Sequence, residues 1–182
     1  MGSMGGIGGD AWPRPVRPRI GARLSYALHH VLAANALTRR FAPAIERRPR
    51  VRWAFTAVER VSKERLFGCR MCGQCALPFT GYACPMTCPK QLRHGPCGGV
   101  GPHGECEGHP EQTCVWVIAH ERAVATGHLD DLTRLHRPVD HRQWGESAWL
   151  NYWQGRDDDM ATPPTAGGAR PLLHRELGLV PR

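Results

Sequence analysis

All eight cysteines of the chain fall between Cys69 and Cys114, in 46 of its 182 residues. The run opens as Cys69-x2-Cys72-x2-Cys75 and continues through Cys84, Cys88, Cys97, Cys106 and Cys114, with proline directly after Cys84 and Cys88. Thiols at this density are either cross-linked to one another or held by metal. Both outcomes put the organising bonds in the loops rather than in a large apolar core.

A disulfide framework belongs to an exported protein. The first 19 residues, Gly-, Pro- and Arg-rich, carry no apolar stretch of the length a signal peptide needs. The pairs Arg39-Arg40 and Arg47-Arg48 lead into Pro-broken, charged sequence, and Gly6 stands where a myristoylation site has Ser or Thr. No run approaches the roughly 18 apolar residues of a membrane span. The expectation is a cytoplasmic chain, whose thiols stay reduced unless a metal holds them.

Thiolate suits both zinc and iron–sulfur clusters. Structural zinc sites usually read as separated cysteine pairs. A triplet at x2 spacing with a further Cys-Pro is the iron–sulfur pattern, and Cys69, Cys72 and Cys75 with Cys84-Pro85 or Cys88-Pro89 follow it. The gap from Cys75 to Cys84 is longer than in bacterial ferredoxins. Eight thiols make two sets of four for either metal, so the reading is two 4Fe–4S clusters, with zinc as the alternative. His94, His103 and His109 lie in the segment, but with two full thiol sets they read as surface residues. Gly73, Gly81, Gly95, Gly98, Gly99, Gly101 and Gly104 let backbone N–H groups approach a bound anion. Lys90 and Arg93 are candidates to balance its charge.

Within Cys69–Val100, the blocks Cys-Arg-Met-Cys-Gly-Gln-Cys, Cys-Pro-Met-Thr-Cys-Pro-Lys and Gly-Pro-Cys-Gly-Gly resemble the cysteine-rich C-terminal module of methylenetetrahydrofolate reductases. The likeness continues through Gly104-Glu105-Cys106-Glu107, Cys114-Val115-Trp116 and Ser147-Ala148-Trp149-Leu150-Asn151, covering roughly residues 64 to 156. In that family the module is fused to the catalytic barrel or encoded as a small partner subunit. The resemblance implies a non-catalytic, electron-carrying subunit of an oxidoreductase complex. Its 4Fe–4S clusters would link an outside electron-donor protein to FMN or FAD on a partner barrel that reduces methylenetetrahydrofolate to methyltetrahydrofolate. The positions carried over as ligands are the eight cysteines. Some relatives are described as zinc-binding, which implies a second reading: a zinc-knotted structural subunit that stabilises a folate-dependent reductase or methyltransferase.

Length agrees with an accessory role, because a (β/α)8 barrel takes about 250 residues. There is no Gly-x-Gly-x-x-Gly turn leading into a helix, and no P-loop. The expected fold is a small metal-stabilised, loop-rich cysteine module with flanking α-helices and little β structure. Residues 1–19 read as an arm, disordered or wrapped on a partner. Residues 20–65 read as a helical lead-in: Ile20, Leu24, Leu28, Val31 and Leu32 recur at helical spacing. Pro43 and Pro49 are expected to interrupt it before a second helix from about Trp53 to Leu66, with Ala57, Val58 and Val61 on one side.

Residues 66–127 form the cysteine module. Its closing helix is expected to open at Pro110-Glu111, carry Cys114 in its first turn and stop at Gly127. Val117, Ile118 and Ala119 would pack that helix on the cysteine loops. Residues 128–182 read as a short helix near Leu129–Leu135, then a mostly irregular docking tail. Trp144, Trp149, Tyr152 and Trp153 there need burial, and the tail ends in Leu172, Leu173, Leu177, Leu179 and Val180. Residues 1–65 hold 13 Lys/Arg against 4 Asp/Glu, and the rest 11 against 12. The basic half invites a nucleic-acid reading. Its arginines are dispersed among prolines and apolar positions with no recognition signature, so an acidic partner surface is the better expectation.

Overall fold

The computed structural model describes residues 17–33 and 35–163. Most of the expected arm, residues 1–16, and the tail from residue 164 with its leucines lie outside the described residues. Three helices lead in: α1 (Ala22–Ala33), α2 (Ala36–Glu46) and α3 (Pro49–Phe67). After the cysteine loops come a hairpin of β1 (Glu105–Cys106) and β2 (His109–Thr113), then α4 (Val115–Thr126) and α5 (Ala148–Trp153). Short 3-10 turns join them. No helix among the described residues is long and apolar enough to cross a membrane.

The lead-in departs from its expected breaks. Pro43 sits inside α2, and the interruption comes after Glu46. Pro43 costs one helical hydrogen bond. Against that cost, Asn35 caps the start by accepting from Leu37 N–H at 2.9 Å, and Arg156 grips Glu46 at 2.6 and 2.7 Å near the end. Pro49 opens α3 rather than breaking it, because a first-turn N–H has no helical partner to lose.

The inward face of α3 is not the apolar one. Its buried residues are Glu59, Lys63 and Phe67, spaced by four, while Val58 and Val61 face outward. Glu59 is fully buried. Its carboxylate accepts from Lys63 Nζ at 2.5 Å, from the N–H of Trp149 at 3.2 Å and from the Ser147 hydroxyl. Ser147 in turn caps α5 by accepting from Leu150 N–H. Phe55 of α3 lies against Trp149 and Trp153 at ring separations of 6.0 and 5.7 Å. Tyr152 meets His29 of α1 at 5.8 Å. Within the mostly irregular tail, α5 is docked on the lead-in. Trp144 stacks on His141 at the surface, not buried on this module, and so falls under the alternative expected for these aromatics, burial against another chain.

The closing helix also begins later than expected. Residues 110–113 belong to β2, paired antiparallel with β1 through Glu105–Thr113 and Cys106–His109. Pro110 and Glu111 imitate a helix start, but the chain there is still turning back from Glu107-Gly108. Cys114 N–H donates to Gly104 C=O at 2.8 Å and closes the hairpin, so Cys114 is the helix N-cap and α4 starts at Val115. The end at Gly127 stands as expected, with a left-handed φ of 75°. Ile118 and Ala119 pack with Cys88, Cys114 and Trp116, and Val117 covers that cluster's edge. The expected helix after it is a 3-10 turn, Leu129–Thr133.

Replacing Glu59 by Ala strands the Lys63 ammonium and frees the α5 cap. Stability should fall by about 3–5 kcal/mol, read from urea unfolding midpoints. A Cβ on Gly73, at φ 74°, would run into the Gln143 carbonyl. Gly73→Ala should cost about 2 kcal/mol in the same assay.

Candidate metal centre

The end of α3 delivers the first thiol. Gly68 takes a left-handed φ of 64° and its N–H bonds Glu64 C=O at 3.0 Å. The N–H of Cys69 reaches back to Lys63 C=O at 3.3 Å, which completes the helix-terminating turn. Beyond it, Met71 and Gly73 also have positive φ, 49° and 74°. The curled loop is tied down from outside. Gly145 N–H bonds Met71 C=O at 2.7 Å and Asn151 Nδ2 bonds Gly73 C=O at 2.9 Å. Gln74, fully buried between Cys72 and Cys75, exchanges hydrogen bonds with the backbone of Asp140.

Held this way, Cys69, Cys72 and Cys75 line one small cavity together with Cys84. Cys84 arrives from the turn after Tyr82, just before the 3-10 turn Pro85–Thr87. Glu59 and Lys63 form part of the same wall. Hydrogen bonding from Cys84, with burial, pushes the Cys69 thiol well up. Burial pushes Cys72 to about 11 and raises Cys75 as well. Two features favour negative charge on sulfur there. Met71 N–H points at Cys69 Sγ at 3.3 Å, and the Lys63 ammonium stands 3.9 Å from Cys75 Sγ. Burial opposes the charge on Lys63, but Cys75, Glu59 and Cys69 outweigh it and its pKa stands raised.

The other four thiols follow a longer path. Cys88 and Cys114 share a buried cluster under α4. Cys106 lies on β1, bridged to Val100. Cys97 is exposed, 3.6 Å from a Glu107 carboxylate oxygen that also pairs with Lys90. A backbone N–H at Gly99, helped by Lys90, holds the Cys97 thiol below its ordinary range. All eight cysteines stand unbridged. Among the described residues, no group of three or more His, Cys, Asp and Glu side chains stands close enough to hold a metal ion as placed. The first four nevertheless fit a thiophilic metal by donor chemistry: soft ligands facing one cavity, with an N–H donor and a buried cation beside them.

The histidines take other roles. His94 accepts the His136 N–H at 3.2 Å, His109 faces Glu111 at 3.2 Å, and His103 is exposed. Arg93 is buried and donates to Gln74 C=O at 2.9 Å, where its charge favours the Cys72 thiolate. Sequence reasoning gave no role to Glu59, Lys63 and Gln74 in the cavity wall, nor to Ser147 and Asn151, which brace it. Gln74, Ser147 and Asn151 lie in the blocks that carry the family resemblance, whereas Glu59 and Lys63 carried no signal.

A family model described as methylene-tetrahydrofolate reductase C terminal matches residues 48–142, just over half of the chain. The chain belongs to that family. The matched stretch takes in α3, all eight cysteines, the hairpin and α4, and leaves α1, α2 and α5 outside. It begins earlier than the motif resemblance and stops before the Ser147–Asn151 segment. Neither the curated proteins nor the solved structures contain a match. In this methylenetetrahydrofolate reductase module, the exposed and buried thiols should differ in reactivity. In metal-free, reduced protein at pH 7.5, iodoacetamide should label Cys97 roughly tenfold or more faster than Cys72, read by peptide mass spectrometry.

Proposed function

We propose that the chain is the iron–sulfur electron-transfer accessory subunit of a methylenetetrahydrofolate reductase complex. The observation that carries this reading is the gathering of Cys69, Cys72, Cys75 and Cys84 around one cavity beside Lys63, in a chain of this family. These four would hold one 4Fe–4S cluster; Cys88, Cys97, Cys106 and Cys114, which share no cavity among the described residues, are the thiols left for a second. Bound there, such clusters supply one-electron transfer between an outside donor and a flavin on the catalytic barrel subunit.

The chain's own residues set the surroundings. Lys63 places a permanent positive charge against Cys75, and Glu59 fixes that ammonium in position. Gln74, Asn151 and Gly145 hold the backbone of the loop that carries the first three thiols. The outward face of α3 carries Val51, Val58 and Val61, each at least two-fifths exposed, and an apolar face of this kind suits a partner subunit.

Protein purified without air should be brown, absorb near 400 nm and contain iron and acid-labile sulfide in about equal amounts. Cys84→Ser and Cys88→Ser should each remove about half of the iron. An intact, colourless preparation containing zinc and no labile sulfide would instead favour the structural-subunit reading.

A further inference from the structure

A second cavity, of about 400 Å3, lies between α1, α3, the start of α5 and the loop through Tyr82. That volume is the size of a small-molecule pocket. Its walls are mostly carbon and unusually aromatic. Among the lining rings, Tyr82 meets Phe67 at 5.7 Å and His29 at 6.1 Å. Trp149 and Tyr152 close the α5 side. Rings set at steep angles to one another leave faces and edges for a flat guest.

The charges on its lining are already satisfied. The Lys63 ammonium is bound by Glu59 at 2.5 Å and sits 4.9 Å from the Trp149 ring centroid. Asp157 pairs with Arg137 at 3.4 Å, and burial raises its carboxyl to about 6. A charged guest would lose its water and gain no free counter-charge. His29 is different: burial, and then His30, lower its pKa, which keeps the imidazole neutral and able to donate or accept one hydrogen bond. At the mouth, Leu28 and Leu32 are 43% and 45% exposed, apolar surface that a guest would cover.

We propose that this cavity binds an uncharged, planar ring compound of two or three fused rings with a carbonyl oxygen, held between the aromatic walls and hydrogen-bonded to His29. Cys75 lies in the same wall, so the bound ring sits beside the first thiol set. The inference goes beyond the electron-carrier reading and stands whether or not metal binds.

Lumiflavin is planar, uncharged, carbonyl-bearing and fluorescent, and serves as the probe. Its anisotropy should rise saturably as the full chain is added, with a Kd on the order of 10 µM. Leu28→Glu, at an exposed position, should weaken binding at least tenfold while leaving the circular dichroism spectrum unchanged. His29→Phe, which keeps the ring but removes its nitrogens, should weaken it several-fold. Equimolar 1-decanol should not displace the probe. Three results would overturn the proposal: no saturable rise, wild-type affinity in the Leu28→Glu variant, or displacement by 1-decanol. Each is read without reference to metal content, so failure here is distinct from failure of the iron–sulfur assay.

Discussion

The Glu59 carboxylate is the contact on which the rest of the module leans. A carboxylate without solvent is tolerable only when nearly every lone pair is used. Here one side chain takes a hydrogen bond from the Lys63 ammonium, one from the Ser147 hydroxyl and one from the Trp149 backbone. Those donors belong to two elements more than eighty residues apart in sequence. The pair thus fixes where α5 lies on α3, and α5 in turn carries Asn151, which holds the cysteine loop at Gly73. Lys63 links the same network to sulfur. Fold and candidate site share one electrostatic joint.

How much of this the sequence revealed depended on the range of the signal. The cysteine spacing is local, and the gathering of Cys69, Cys72, Cys75 and Cys84 is what a curled loop makes of it. Gly127 ends α4 where a glycine able to adopt positive φ would end it. The failures were of two kinds. Pro110-Glu111 has the composition of a helix start, but pairing with Glu105 and Cys106 across a tight turn holds it extended. On α3, periodicity groups Ala57, Val58 and Val61 on one side but gives no sign that Val58 and Val61 are exposed and that Glu59 and Lys63 are the buried pair. A charged core position has no periodic signature. Its partners, Ser147 and the Trp149 N–H, are visible only once the chain is folded.

The family match and the structure divide the chain in different places. The match covers the thiols and the elements that carry them. The helices outside it do structural work for the matched part: α1 and α5 build the aromatic cavity next to Cys75, and Asn151 and Ser147 support the thiol loop and Glu59. The module as it folds is therefore larger than the module as it is recognised.

The left-handed residues at Gly68, Met71 and Gly73 carry a consequence for how this loop tolerates change. In an extended chain, side chains three apart leave on opposite sides; here each reversal of backbone hand re-aims the next sulfur toward the same hollow. Directionality is thus encoded by the count of residues together with the two that fit only as they are, Gly73 against the Gln143 carbonyl and the buried Gln74. Inserting or deleting one residue turns a sulfur away.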